Sequence, residues 1–231
     1  AIQRPLADAL VLRKIRARVG GRLRLMVSGS APLAHTTGEF LFAVGLPISE
    51  AYGLTESSPG ITANPPGAVR LGTVGIAVPG VEVRIADDGE VLARGPNIMQ
   101  GYFNRPEETA AALRGGWLHT GDIGHLDADG YLTITDRKKD IIVTSGGKNI
   151  APAPIELRLK ESPLVAEAVL VGDRRKFPAA LIVPDFVTLE EHLREAGAPS
   201  GPRERLVARA DVRAIYQAIL DGLNVNLAQF E

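Results

Sequence analysis

The sequence predicts a mixed chain, α/β in its first part and α+β in its last, and three observations carry that prediction. Before residue 53, short apolar runs alternate with helical periodicity. Between residues 67 and 136 the apolar period drops to two, and Asp-Gly pairs turn the chain. After the polar run Arg137-Lys138-Lys139-Asp140, apolar runs and helical spacing mix again. Three regions result. They are the remnant of a parallel α/β subdomain over residues 1–66, a small antiparallel, β-barrel-like subdomain over 67–137, and a small α+β domain over 138–231.

In order along the chain, residues 5–19 space Leu6, Ala9, Leu10, Ile15 and Val19 at helical intervals. Pro5 opens the segment and Gly20-Gly21 close it, so a helix is expected. Residues 23–27 read as a strand, broken by Ser28-Gly29-Ser30-Ala31-Pro32; a helix over 34–44 and a strand over 47–52 complete a βαβ-like unit. Val81, Val83 and Ile85 alternate into the Asp88-Gly89 turn, and Val91 and Ala93 return from it as a hairpin. Asp129-Gly130 makes a second turn ahead of Tyr131, Thr133 and Thr135. Between the hairpins a helix is expected with Asn104 as its cap, Pro106 in its first turn and Gly115-Gly116 at its end. Beyond Asp140 the apolar run Ile141-Ile142-Val143 leads to Gly146-Gly147. A helix over 154–160, strands over 167–171 and 179–183, a helix begun by Thr188 and Glu191 as a capping box, and a last helix after Asp211 follow.

Composition removes several functions. The 26 basic and 27 acidic residues leave a net charge of −1, without the basic excess that nucleic-acid binding requires. With no cysteine there is no disulfide scaffold, thiolate metal site or cysteine nucleophile. A chain that is 45% hydrophobic and 23% charged can bury a core. No apolar run approaches the roughly 18 residues that cross a bilayer, and the amphipathic, Arg-rich start lacks a signal-peptide pattern, so a cytoplasmic setting is the default expectation.

The segment Glu50-Ala51-Tyr52-Gly53-Leu54-Thr55-Glu56-Ser57-Ser58 sets an aromatic ring, a flexible glycine, a hydroxyl and a carboxylate after a strand, where α/β folds bind ligands. Tyr52 offers a flat face for a base, Thr55 a donor for a phosphate oxygen, and Glu56 a hard oxygen for Mg²⁺. The same residue types also describe an ordinary polar turn. Thr120-Gly121-Asp122 presents a carboxylate on what reads as a turn, suited to accept from two vicinal ribose hydroxyls. His119, His125, Asp127 and Asp129 match no standard metal-loop spacing, and the aspartates read as turn residues. Ser145-Gly146-Gly147-Lys148 is not a Walker A loop, because Ile142 stands where glycine is needed and Asn149 where Ser or Thr is needed. Ser28-Gly29-Ser30 is likewise no nucleophile elbow. The basic runs at 137–139 and 174–176 suit solvated faces or a hinge.

Taken together and in order, five strings resemble the adenylate-forming superfamily, which includes acyl-CoA synthetases, aryl-CoA ligases, adenylation domains and luciferases: SGSAPL from Ser28 to Leu33, EAYGLTESS, GYFNRPEETAAAL, GWLHTGDIG and YLTITDRKKDIIVTSGGKNIAPAPIE. The last string, followed by VGDRRKFPAALIVPD, is most similar to the long-chain fatty acyl-CoA ligase branch. The resemblance implies two steps: a fatty carboxylate attacks the α-phosphorus of ATP to give acyl-AMP and pyrophosphate, and the coenzyme A thiol then displaces AMP. It also implies roles. Gly29, Ser30 and Ala31 line the adenine and acyl side, Tyr52 with Gly53 meets adenine, Thr55 meets the α-phosphate, and Glu56 holds Mg²⁺. Asp122 and Arg137 bind the ribose hydroxyls. Lys139 matches the hinge of a mobile C-terminal domain, and Gly146 with Gly147 flanks the pantetheine of coenzyme A.

Two departures accompany the match. The family's phosphate loop, of the form S-G-T-T-G-x-P-K-G, precedes SGSAPL and has no counterpart here. The lysine of its C-terminal P-T-x-x-G/L-K pattern would follow Gln229-Phe230-Glu231. These motifs handle phosphate charge, so the expectation is a fragment of a longer enzyme that makes no acyl-AMP on its own. An aryl-CoA ligase, a fatty acyl-AMP ligase and a non-catalytic nucleotide-binding module are the alternatives. Fatty acid, ATP and coenzyme A are the expected partners, with no nucleic acid. Unpaired sheet edges invite dimerisation, and the parent's association with membranes is left open.

Overall fold

The computed structural model describes residues 7–199, 201–225 and 227. The chain divides between Lys138 and Lys139 into two compact units, each with its own core.

In the first unit, a π-helical turn Asp8–Leu12 runs into the helix Arg13–Arg18 (α1). Pro5 and Leu6 of the expected helix lie outside the described residues. Strand Met26–Ser28 (β1), helix His35–Val44 (α2) and strand Ile48–Tyr52 (β2) form the βαβ unit, with β1 and β2 parallel and Ser28 opposite Glu50. The strand expected over 23–27 is thus shorter and starts later. Strand Thr62–Ala63 (β3) pairs antiparallel with β2, and Ile76–Ala77 (β4) pairs antiparallel with β3, so this four-stranded sheet runs on past residue 66. Gly75 permits that pairing: a Cβ there would stand 2.0 Å from the Ala63 carbonyl carbon.

The second sheet is an open antiparallel meander of Glu82–Ile85 (β5), Glu90–Arg94 (β6), Leu118–Leu126 (β7) and Leu132–Arg137 (β8). Both Asp-Gly turns fall where the alternation put them. In the second, the Asp127 carboxylate accepts from the Asp129 and Tyr131 amides. Between β6 and β7 lies helix Pro106–Ala112 (α3). Asn104 does not cap it: Asn104 has φ 54, Arg105 holds the cap position, and its side chain makes no capping hydrogen bond. Ile61, Val81 and Ala93 form the buried core, with Tyr52, Val78, Val83 and Ile98 packed on it.

In the second unit, Ile142–Val143 (β9) and Asn149–Ile150 (β10) form a small hairpin, followed by helix Pro152–Leu159 (α4). The latter begins two residues before the expected position. Val165–Val171 (β11) and Ala179–Pro184 (β12) pair antiparallel. Helices Phe186–Glu195 (α5), Arg203–Leu206 (α6) and Ala210–Asn224 (α7) complete the unit. The α5 cap is Asp185, whose carboxylate accepts from the Thr188 amide at 2.8 Å. Thr188 therefore lies inside the first turn rather than opening it. Ile142, Ile150, Ile155, Leu159, Val165, Ala168 and Leu223 fill one core, and Leu189, Leu193, Leu206 and Val212 a second. Residues 229–231 lie outside the described residues. Among the described residues no helix is long and apolar enough to cross a membrane.

Candidate nucleotide site

The parallel β1–β2 pair sends its two carboxyl ends to one edge, and the loops leaving that edge carry residues 29–33 and 53–58. Gly29 passes so close to β2 that a Cβ would lie 3.2 Å from the Ala51 carbonyl oxygen, and Ser30 takes φ 68 in the turn that leads to Ala31. The Glu50 carboxylate on β2 holds the first of these loops by accepting from the Leu33 amide at 3.4 Å. Burial pushes its carboxyl above the ordinary value, although the Leu33 and Gly72 amides act the other way.

Tyr52 closes β2 and reaches across to the meander. Its hydroxyl donates to Asp122 Oδ2 at 2.7 Å, while Arg137 Nε lies 3.2 Å from Asp122 Oδ1. Residues 70 and 85 positions down the chain from Tyr52 thus meet at one carboxylate. Asp122 is 4% exposed, whereas the Arg137 side chain is half exposed, so the cluster has one buried and one open side. Burial, with the neighbouring Asp122 charge, raises the Tyr52 phenol well beyond its usual range and keeps it a donor.

Asp122 does not sit on a turn. It lies within β7 at a bulge, where His119 pairs with Leu92 and Ile123 with Glu90, so that Thr120, Gly121 and Asp122 face Val91. Gly121 carries φ +73 at this bulge. Thr120 fixes the bulge by donating to the Val91 carbonyl at 2.7 Å and accepting from the Asp122 amide at 3.1 Å. An Asp carboxylate has about four acceptor positions, and two are used here, which leaves capacity for vicinal hydroxyls.

Thr55 and Glu56 lie in the 3₁₀ turn Thr55–Ser57 after β2. Gly53 is required at its entrance, because a Cβ there would stand 1.4 Å from the Pro59 carbonyl oxygen. The loop after β6 clamps the turn: Asn97 Nδ2 donates to the Ser57 carbonyl at 2.9 Å, the Met99 amide to the Glu56 carbonyl at 2.8 Å, and the Tyr102 hydroxyl to Glu56 Oε1 at 2.8 Å. Among the described residues no group of three acidic, His or Cys side chains could cage a metal. Glu56 offers one carboxylate, which fits Mg²⁺ held jointly with nucleotide phosphates rather than by protein alone.

Lys139, Gly146 and Gly147 belong to the second unit. Lys139 is its first residue and is exposed. The two glycines form the exposed β9–β10 turn, in which the Gly147 amide donates to the Thr144 carbonyl at 2.9 Å and Gly147 takes φ +74. The first unit therefore brings Tyr52, Asp122 and Arg137 into direct contact and sets Gly29, Ser30, Ala31, Gly53, Thr55 and Glu56 in loops at the adjoining strand ends.

Sequence reasoning missed Glu90, Asn97 and Tyr102. Glu90 Oε1 accepts from the Gly121 amide at 2.9 Å, and Oε2 meets His119 Nδ1 at 3.1 Å and Lys138 Nζ at 3.2 Å. Burial pushes the Glu90 carboxyl up, but donation from His119, Lys138 and Gly121 outweighs it and holds the group below its ordinary value. The available signal was a carboxylate opening a strand whose next three residues are apolar.

The chain is similar to known proteins along most of its length. Residues 5–103 match the AMP-binding enzyme family and residues 139–198 the AMP-binding enzyme C-terminal domain. The long-chain-fatty-acid–CoA ligase FadD15 of Mycobacterium bovis is 48% identical over 220 residues, covering 92% of this chain and 36% of the relative. The long-chain-fatty-acid–CoA ligase ACSBG1 of Bos taurus is 36% identical over 248 residues, covering 96% and 34%. The chain thus spans about a third of the length of the curated relatives it matches. Among solved structures, o-succinylbenzoate CoA synthetase from Bacillus subtilis in complex with its acyl-adenylate intermediate superposes with a TM-score of 0.70 at 28% identity, covering 94% of this chain and 43% of that one. The anthranilate CoA ligase AuaEII in complex with anthranoyl-AMP gives 0.69 at 27% identity, covering 90% and 39%. With the two domain matches spanning more than half of its residues, the chain belongs to the family of AMP-binding enzymes.

Proposed function

We propose that this chain is the nucleotide-holding and hinge-bearing part of an ATP-dependent long-chain fatty acid–CoA ligase. The observation that carries the reading is the meeting of Tyr52, Asp122 and Arg137 at a single carboxylate. In it, the Tyr52 ring meets adenine, and Asp122 accepts from the ribose hydroxyls with Arg137 beside it. Gly29, Ser30 and Ala31 border the adenine and acyl side, Gly53 lets the backbone turn there, and Thr55 donates to the α-phosphate. Glu56 would hold Mg²⁺, whose charge neutralises the phosphates when bound. Fixed donors aimed at developing phosphate charge lower the barrier for carboxylate attack. Lys139 is the pivot about which the second unit turns between acyl-AMP formation and thioester formation, and Gly146 and Gly147 border the pantetheine.

Fatty acid as substrate follows from the higher identity to the fatty-acid ligases, 48% against 27% for the anthranilate ligase. An aryl carboxylate is the second reading, favoured by the bound adenylates named for the two structural neighbours. Incubating the full-length protein with ATP, Mg²⁺, coenzyme A and either palmitate or a benzoate, and weighing the thioesters by mass spectrometry, separates them. Palmitoyl-CoA is the expected product, and Asp122→Ala should lower its rate roughly 100-fold at subsaturating ATP by removing charge-assisted hydrogen bonds. A benzoyl thioester alone, or no thioester, refutes the reading.

A further inference from the structure

Glu90 is charged, 4% exposed, and located in a strand whose next three residues are apolar and buried. It spans the two parts of the backbone that present the ribose-binding pair. On one side, its Oε1 accepts from the Gly121 amide, one peptide before Asp122. On the other, its Oε2 accepts from Lys138 Nζ, one residue after Arg137. The Lys138 amide itself donates to the Gly121 carbonyl at 2.8 Å, so Gly121 is held by both its amide and its carbonyl. Lys138 is in turn fixed by Asp88 Oδ2 at 2.6 Å.

Gly121 has reason to need such anchoring. It stands at the bulge with φ +73, and no atom would contact a Cβ placed on it, so packing does not lock its conformation. A bulge re-aims the side chain beside it, and the side chain beside this one is Asp122. We propose that Glu90 is a positioning residue for the nucleotide: by holding Gly121 and Lys138 together it sets the Asp122 carboxylate and the Arg137 guanidinium at the separation that two ribose hydroxyls require. This rests on the reading of Asp122 and Arg137 as the ribose site.

The test uses the full-length protein and compares calorimetric affinities for AMP and 2′,3′-dideoxy-AMP. The ratio of the two isolates the hydroxyl contacts, and a merely structural Glu90 would weaken both ligands alike. For Glu90→Ala the preference for AMP is expected to fall about tenfold, with dideoxy-AMP affinity held within about twofold. Lys138→Met, at a side chain that is 44% exposed, is expected to lower the preference about threefold. Asp122→Ala is the reference. If it abolishes the preference while Glu90→Ala and Lys138→Met leave it at the wild-type value, or weaken both ligands equally, the positioning role is overturned and the ribose site stands. If Asp122→Ala leaves the preference intact, the ribose site itself falls and the positioning role with it. Should Glu90→Ala fail to fold, Lys138→Met decides: an unchanged preference overturns the proposal.

Discussion

Replacing Gly53 by alanine tests the architecture of the site at its tightest point. A Cβ there would stand 1.4 Å from the Pro59 carbonyl oxygen and 2.5 Å from its carbon, where contacts under 3.0 Å do not occur. The two backbones must separate by at least about 1.6 Å. Segment 54–60 cannot yield freely, because the Ile61 amide donates to the Tyr52 carbonyl at 2.8 Å and Asn97 holds the carbonyls of Ser57 and Gly60. Losing two or three such bonds at about 1 kcal/mol each, with overpacking of about 1–3 kcal/mol, gives roughly 4 kcal/mol. Thr55 and Glu56 move with the segment. Gly121→Ala is the contrast: its φ of +73 costs about 1–2 kcal/mol, but nothing lies in the way of a Cβ. Thermal unfolding and AMP titration of the full-length variants are the assay. Gly53→Ala should lose far more stability than Gly121→Ala and should lose nucleotide affinity as well; equal losses of stability would refute the reasoning.

Glu50→Gln should stabilise the first unit at pH 7, because burial raises the Glu50 carboxyl above its ordinary 4.5. For a raised carboxyl, the stability present in acid is lost as pH rises through that value, so the gain should vanish near pH 4, and a loss of melting temperature at pH 7 would contradict it. Asp185→Ala should cost the second unit about 1 kcal/mol by freeing the Thr188 amide at the start of α5, read as a lower denaturant midpoint; an unchanged midpoint would show that water replaces the cap.

The turn chemistry and the ordered strings made most of the fold legible. Asp88-Gly89 and Asp129-Gly130 marked the hairpins, and the SGSAPL loop could be placed beside YGLTE because a βαβ unit returns parallel strands to one edge. Local signals failed where a neighbour in space decided the outcome. Asn104 has the residue type of a cap but takes φ 54 one position early. Asp185 caps α5 because the strand before it ends at Pro184. Strict alternation would leave Glu90 and Leu92 facing solvent opposite Val91 and Ala93, yet β6 lies between β5 and β7 and is buried on both faces. That burial makes Glu90 part of the site, and its partners Gly121 and Lys138 lie 31 and 48 residues along the chain.

A crystal structure of the full-length protein with AMP bears most directly on the central claim. The account predicts the adenine against the Tyr52 ring and both ribose hydroxyls within hydrogen-bond distance of the Asp122 carboxylate. AMP bound with its ribose away from Asp122, and Asp122 still engaged only by Tyr52 and Arg137, would contradict it.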